Sequence, residues 1–467
     1  MLMEERGPSL WERFKVTRPR GLAEGLPTPI NSVRKLQRTL YAKAKAEPSY
    51  RFYSLWDKVY RSDILEAAYR RCRRNKGSAG VDGQTFEQIE SQGVESWLAV
   101  LEDELRTGLY SPQPLRRVWI PKRSGKLRPL GIPCIRDRVA QMAMNLVLQP
   151  IFESDFIESQ YAYRPRLDAK MAVRRVYFHV AERGLAEVVD ADLKDYFTTI
   201  PHGALMKCVA RRICDRNVLS LIKQWLEVPV IERTKRGTVR SRQAAKTHRG
   251  TPQGGVISPL LANIYFRRFV LAWEKFGLDR RHQAQIVNYA DDLVLCCNPG
   301  SGAAALQSMR EIMSRLGLTV NEEKTTVRQL PHESLDFLGY TIGKQYNRWN
   351  KAYIGTRPSK TAIRSLIQRI HDETAHGMTW TSTEDRVSRV NSLIRGWAGY
   401  FNQGPVLKSY HHVQRYTERR LRRWLVMKHK QRGRSGYRLY SDEYLYGDLG
   451  LHRLPRSKAE MLSAKAY

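Results

Sequence analysis

The chain has 467 residues, of which 80 are Lys or Arg and 46 are Asp or Glu, for a formal net charge of +34. With 42% hydrophobic and 10% aromatic residues, the excess charge cannot belong to a disordered basic tail, since disorder goes with depleted apolar content. It sits on a folded body long enough for about two to four domains, and a folded cationic surface argues for a polyanionic partner, nucleic acid above all, rather than for an ordinary metabolic enzyme.

No apolar run reaches the roughly 18–20 residues needed to cross a bilayer, and Met1–Arg6 is polar and acidic. The chain is therefore expected to be soluble, unsecreted and cytoplasmic, with no membrane partner. Its six cysteines (Cys72, Cys134, Cys208, Cys214, Cys296 and Cys297) form no CxxC pair, and its eleven histidines show no zinc-ligand spacing. Zinc fingers and Cys-pair nuclease modules are not expected, and the cysteines read as thiols in a reducing compartment.

Residues 1 to about 45 are basic and rich in Pro and Gly, and read as an arm with a helix from Ser32 into Ala46. A helical pattern from Tyr50 to Arg74 ends in the turn-rich run Asn75–Gly83. Between Val118 and Pro133 two short strands flank a cationic turn, Lys122–Lys126. Helical spacing returns from Arg136 to Leu148, where Val139, Met142, Leu146 and Val147 mark a core face. Val188-Val189 then leads into Asp190-Ala-Asp-Leu-Lys-Asp-Tyr-Phe197, with a helix from Pro201.

Gln285–Tyr289 and Leu293–Cys296 read as two strands separated by Ala290, Asp291 and Asp292, a tight hairpin with two carboxylates at its tip. A helix from Ala303 to Leu316 follows, then a third strand through Thr319-Val320 and a fourth around Phe337–Tyr340. Strands and helices mix without strict alternation, which predicts an α+β layer with helices on one face of a small antiparallel sheet. Beyond about Arg357 the pattern is helical alone. Thr381 with Glu384 reads as a capping box, and Val387, Val390, Ile394, Trp397 and Phe401 make one buried stripe. Ser359–Ile370 and Tyr410–Leu425 give two further helices. In the last of them, Arg415, Arg419, Arg420, Arg422 and Arg423 are too many to point all away from a nucleic-acid partner.

Asp192, Asp291 and Asp292 are the hardest residues to explain structurally. Adjacent aspartates between apolar strands repel one another and have poor strand propensity. An Asp-Asp pair alone could simply occupy an exposed turn. Hard oxygen ligands without His or Cys suit Mg²⁺, and two such ions serve in-line phosphoryl transfer. Lys122 and Arg128 beside the cationic turn are suited to grip a triphosphate, although a basic hairpin can equally be a solvated one. In Arg249-Gly-Thr-Pro-Gln-Gly-Gly-Val-Ile-Ser-Pro259, Gly250, Gly254 and Gly255 remove side chains where a backbone could approach a base pair or sugar. This loop runs straight into an apolar helix, Leu260–Phe266.

In order along the chain stand NKGSAGVDG, IPKRSGKLRPLGIP, YAYRP, DADLKDYF, RGTPQGGVISPLLANIYF, YADD, GLTVNEEKT, FLGY and RGWAGYF. From about Ser32 to about Leu454 this series resembles the group II intron reverse transcriptases, the intron-encoded maturase proteins. The resemblance implies right-hand polymerase fingers and palm followed by an all-α thumb, or maturase, domain. The implied divisions are an arm over 1–45, fingers and palm over 46–355, the maturase domain over 356–430 and a short basic tail over 431–467. That tail lacks the paired Cys and His-rich core of an attached endonuclease.

Carried over by position, the resemblance makes Asp192, Asp291 and Asp292 the catalytic ligands of two Mg²⁺ ions. Asp192 is preferred to Asp190 because the family's aromatic sugar gate then falls on Phe197. Lys122, Arg128 and Gln253 would hold the incoming dNTP, and Lys324 would protonate pyrophosphate. Arg249, Gly254, Gly255 and Tyr289, with Arg415, Arg419, Arg422 and Arg423 in the thumb, would face nucleic acid. The implied partners are the intron RNA in a ribonucleoprotein, a DNA target and an RNA template–primer duplex, with association at the nucleoid during action on DNA. The sequence leaves the oligomeric state open. One departure is that Tyr161-Ala-Tyr-Arg-Pro165 continues as Arg166-Leu-Asp-Ala-Lys170 rather than with the family's Ser and His, which leaves this segment without a role. A splicing-only maturase, a reverse transcriptase domesticated for defence or repair, and an unrelated Mg²⁺ nuclease stand as alternatives.

Overall fold

A computed structural model describes residues 29–121, 125, 127–234, 237–347, 349–431 and 436–463. Its strands are β1 (Leu115–Pro121), β2 (Leu127–Ile132), β3 (Glu187–Asp192), β4 (Val230–Thr234), β5 (Gly237–Ser241), β6 (Gln285–Tyr289), β7 (Asp292–Cys297), β8 (Thr326–Gln329), β9 (Leu335–Phe337), β10 (Tyr340–Tyr346) and β11 (Ala352–Pro358). They form three sheets, ordered β2-β1-β4-β5, β6-β7-β3-β8 and β11-β10-β9. The first sheet is not purely antiparallel, because β1 and β4 run parallel where Leu115 pairs with Val230.

The central sheet positions the carboxylates. Its strands β3, β6 and β7 are short, rich in Val and Leu, and buried over most of their length. Successive side chains alternate between two cores, as the two-residue period of a strand requires. Val189, Ala191, Leu293, Leu295 and Cys297 pack into a core shared with the helices Ser62–Asn75, Ile135–Glu153 and Ser258–Lys275. Val188, Val294 and Cys296 pack on the other side with the helix Ala169–Tyr177, β9, β10 and the C-terminal helices. Asp190, Asp192 and Asp292 have the parity of this second face and continue it beyond its apolar part.

Two expected strands lie elsewhere. Thr319-Val320 contributes only a single bridge, Leu193 with Val320, and the fourth strand of the central sheet is β8. Leu338-Gly339 is a turn with φ of +49° and +81° that folds β10 back on β9 in a separate sheet. The β10–β11 hairpin ends at Pro358, and Ser359 caps the helix Lys360–Glu373 by accepting from the Ala362 amide at 3.1 Å. The next helix, Thr383–Tyr400, is capped by Ser382 rather than by Thr381, with the Asp385 amide donating to its hydroxyl. Leu407–Lys428 completes the helical region, burying Leu421, Trp424 and Leu425.

The helix Pro29–Ala46 includes the end of the expected arm, yet it is docked on the body. Val33, Leu40 and Ala44 enter the first core, and Gln37 donates to the Leu146 carbonyl at 2.9 Å. Arg212, only 3% exposed, closes the C-terminal end of this helix. It donates to the carbonyls of Ala44 (2.6 Å), Glu47 (3.0 Å), Pro48 (2.5 Å) and Tyr50 (3.2 Å), and pairs with Asp155 at 3.2 Å. A cation among orphan carbonyls satisfies both their hydrogen bonding and the negative end of the helix.

Replacing Arg212 by Met keeps the stem's volume and strands those carbonyls and Asp155. The expected cost is about 3 kcal/mol, read as a lower melting temperature with protease cleavage appearing first between residues 46 and 56. Wild-type melting and wild-type cleavage would show that the guanidinium does not hold this helix.

Candidate active site

Register brings the site together. Asp192 at the end of β3 is directly opposite Asp292 at the start of β7, and the Leu193 amide donates to the Asp291 carbonyl at 3.4 Å. Between β6 and β7, Ala290 adopts φ +60°, a strained conformation for a residue with a Cβ. The side-chain amide of Asn288, itself buried, braces that turn by donating to the carbonyls of Ala290 (2.9 Å) and Asp292 (3.3 Å).

Like charges facing each other across two strands are destabilising. The effect is visible at Asp292, whose pKa is pushed up to about 7 by dehydration and then by the carboxylates of Asp291, Asp192 and Asp190, with Lys324 opposing. The Asp292 side chain is nonetheless open to solvent on one side, so the dehydration comes from the protein wall behind it. Asp190, half-buried on the same face, is pushed up to about 6, mainly by burial, with Arg328 opposing. Asp192 is better supplied. Its carboxylate accepts from Lys324 Nζ at 2.8 Å and from the Asn321 side-chain amide at 2.9 Å, and its carbonyl accepts from the Asn321 amide at 2.8 Å. The bond to Asp192 holds the Lys324 pKa above its ordinary value. Lys324 thus reaches the carboxylate cluster, while Asn321 was not singled out in the sequence.

One wall of the cleft is a pair of segments stitched backbone to backbone. The Thr251 amide donates to the Phe197 carbonyl at 2.6 Å, and the Gly250 amide to that of Ile200 at 2.8 Å. On the other side of the loop, the Gly131 amide of β2 donates to the Gln253 carbonyl at 2.7 Å. These contacts correct the expected reason for the glycines. A Cβ on Gly254, at φ +110°, would collide with the Gly131 carbonyl oxygen, and one on Gly250, at φ +94°, would lie 2.9 Å from the Thr198 carbonyl oxygen. The space beside Gly255 is likewise filled by Ser258 Oγ. Neighbouring protein by itself already requires small residues here. Arg249 is exposed but employed, donating to the carbonyls of Thr199 (3.2 Å) and Gly317 (3.1 Å).

Gln253, Phe197 and Tyr163 complete the surroundings of this loop. Gln253 Oε1 is buried without a hydrogen-bond partner among the described residues, an acceptor that calls for a ligand donor. Phe197 lies with its ring 6.3 Å from that of Tyr163, edge to face. Tyr163 is the residue that sequence reasoning left without a role. Its backbone is held at φ +59°. On one side the Ala162 carbonyl accepts from Asn263 at 2.7 Å. On the other, Arg164 donates to Glu153 and to the carbonyls of Ile157 and Gln160. The Tyr163 ring is 49% exposed, and its hydroxyl pKa is raised by partial burial and by Asp291, Tyr289 and Asp292, with Arg128 opposing. Tyr289 is paired with Asp292 by register, Tyr163 feels the charges of Asp291 and Asp292, and Arg128 acts on Tyr163. Lys122 lies outside the described residues.

The thumb arginines divide. Arg415, Arg419 and Arg423 are exposed and, four residues apart, share one stripe of the helix. Arg422 is buried, donating to the Tyr440 carbonyl at 2.7 Å and pairing with Asp442. Its expected contact with nucleic acid is thus corrected, because the guanidinium is already consumed in joining this helix to residues 440–442. Arg420, too, is turned inward, to Thr374.

Residues 120–342 match the family model described as reverse transcriptase (RNA-dependent DNA polymerase), and residues 363–440 match the group II intron, maturase-specific domain. Protein YkfC of Escherichia coli (strain K12) is 33% identical over 371 residues, which cover 71% of this chain and 93% of that protein. The chain belongs to the group II intron reverse transcriptase/maturase family. Group II intron-encoded protein LtrA of Lactococcus lactis subsp. cremoris is 33% identical over 241 residues, 50% of this chain and 38% of LtrA. The putative COX1/OXI3 intron 1 protein of Saccharomyces cerevisiae is 26% identical over 329 residues, again 38% of that protein's length. This reverse transcriptase is an RNA-directed DNA polymerase with a maturase domain, from a family that uses divalent metal ions and dNTPs. None of its described helices is long and apolar enough to cross a membrane.

If the Phe197 ring limits the sugar and Tyr163 fixes that ring, Phe197→Ala should reduce discrimination against ribonucleotides by about 10–200-fold. Tyr163→Ala should then reduce it by a smaller factor, about tenfold. Ratios of kcat/KM for dNTP and rNTP measure both. A Tyr163→Ala variant with full discrimination would remove Tyr163 from the gate.

Proposed function

We propose that this chain reverse-transcribes RNA at the Asp192, Asp291 and Asp292 cluster with Mg²⁺, and that it does so for a group II intron whose RNA it also binds and helps to splice. The observation that carries the polymerase part is the cross-strand pair of Asp192 and Asp292 with Asp291 beside it. These three hard oxygen donors stand at adjacent strand ends without His or Cys among them, and their mutual repulsion is relieved only by cations. The donor set fits Mg²⁺, whose chemistry when bound is to lower the pKa of a primer 3′-hydroxyl and to neutralise the departing pyrophosphate.

The chain's own residues do the rest. Lys324, held against Asp192, brings a protonated amine to the edge of the site where negative charge is released. Gln253 lies in the adjoining loop with its buried Oε1 unpartnered among the described residues, Phe197 walls the sugar, and the cationic end of the β1–β2 hairpin at Arg128 contributes positive charge toward the triphosphate. Because the loop carrying Gln253 is bonded both to β2 and to the segment carrying Phe197, these groups keep a fixed spacing, which is the main source of catalysis in phosphoryl transfer.

The exposed stripe of Arg415, Arg419 and Arg423 suits the phosphate backbone of a template–primer duplex or of the intron RNA. An intron-encoded enzyme with this thumb would support intron mobility by target-primed reverse transcription on DNA.

Primer extension on an RNA template with Mg²⁺ and dNTPs tests the polymerase reading. Wild-type protein should extend, and Asp291→Ala with Asp292→Ala should fall to background. Equal extension by the double variant would place the chemistry elsewhere. Splicing of the cognate intron at low Mg²⁺ should be faster with the protein than without it, and equal rates would remove the maturase part.

A further inference from the structure

Away from the carboxylates, three residues that are distant in sequence come together behind the nucleotide loop. His202 begins the helix His202–Ala210, Glu227 ends the helix Arg216–Glu227, and His248 follows the helix Gln243–Thr247 with φ +49°. One ligand-type atom from each lies within 4.8 Å of the other two, and His248 Nδ1 is 4.0 Å from Glu227 Oε1. Histidines dispersed in this way carry no motif, which is why spacing alone gave no sign of them.

His202 is the informative member. It is 4% exposed, and its Nε2 lies 2.7 Å from the Gly250 carbonyl oxygen. A carbonyl only accepts, so Nε2 carries the hydrogen and Nδ1 holds the lone pair. That Nδ1 is buried and has no hydrogen-bond partner among the described residues, an arrangement that costs free energy unless something binds there. Burial also lowers the His202 pKa, which keeps the ring neutral. A ligating imidazole typically donates its other ring N–H to a backbone carbonyl, and Gly250 supplies it.

We propose that His202, Glu227 and His248 bind one Zn²⁺ ion, separate from the Mg²⁺ site and structural in role. Two imidazoles and a carboxylate suit zinc, and disfavour Mg²⁺, which prefers oxygen ligands throughout. Tetrahedral ligands at roughly 2.0–2.1 Å from zinc stand about 3.3 Å apart, so the site closes by a small swing of the exposed His248 side chain. The ion joins three helices to the segment that enters the loop. The His202 amide already donates to the His248 carbonyl at 2.8 Å, and the Gly250 carbonyl is held by the same imidazole. Zinc would thereby brace the loop that presents Gln253 from the side opposite β2.

The test uses full-length protein stripped of metal, with Asp192→Asn, Asp291→Asn and Asp292→Asn introduced so that the carboxylate cluster cannot bind the probe. Zn²⁺ titrated against a chromophoric chelator should occupy one site per chain, and Co²⁺ should give the visible absorption of a tetrahedral nitrogen and oxygen site. His248→Ala in the same background alters an exposed side chain and should weaken Zn²⁺ binding by about 100-fold or more, since even an outer-shell partner is worth roughly 10–100-fold. Glu227→Gln should act in the same direction, and both should abolish the Co²⁺ band. No stoichiometric Zn²⁺ binding in the background protein, or unchanged affinity in both variants, would overturn the proposal.

Discussion

Two carboxylates directly opposite each other on adjacent strands set the terms for the rest of this molecule. Asp192 and Asp292 are paired by register, Asp291 adjoins them, and Asp190 lies two residues back on the same face. Such a cluster destabilises a sheet of ordinary construction. It persists because the strands carrying it are buried on both faces between two apolar cores. Slipping the register of β3 or β7 by one residue would exchange the two sets of apolar side chains and turn the carboxylates toward the first core. Apolar packing thus enforces an electrostatic arrangement that the carboxylates would not adopt by themselves, an instance of strain held at a site by the structure around it.

The surrounding segments serve the same geometry. Asn288 ties the turn at Ala290, Asn321 and Lys324 bind Asp192, and the loop from Gly250 to Gly255 is bonded to β2 on one side and to the Phe197 segment on the other. Gly250 and Gly254 permit this double attachment, since any Cβ would strike the neighbouring backbone. The result is that Gln253, Phe197 and Tyr163, the groups proposed to meet the nucleotide, cannot drift independently of the carboxylates.

Much of this was legible in the amino-acid sequence, for local reasons. Short Val- and Leu-rich runs around Asp291-Asp292 declare a hairpin whatever the rest of the chain does, and the stripe Val387, Val390, Ile394, Trp397 follows from helical periodicity. What escaped depends on contacts between remote segments. Tyr163 belongs to an aperiodic stretch fixed by Asn288 and Asn263. Thr319-Val320 has strand-like residues, but Thr326–Gln329 holds the sheet edge. Arg422 sits in a helix rich in cations, and only its partners Tyr440 and Asp442 reveal that it turns inward. His202, Glu227 and His248 meet only because three helix ends do.

Asp292 is held against its own electrostatic preference, and the proposed divalent ion would relieve it. Melting of wild-type protein and of Asp292→Asn, each with chelator and with Mg²⁺, tests it most directly. The variant should melt higher than wild type in chelator, because a repulsion worth roughly 0.2–1 kcal/mol is removed, and Mg²⁺ should stabilise the wild type more than the variant. A wild type that is at least as stable in chelator, together with equal stabilisation of both proteins by Mg²⁺, would contradict it.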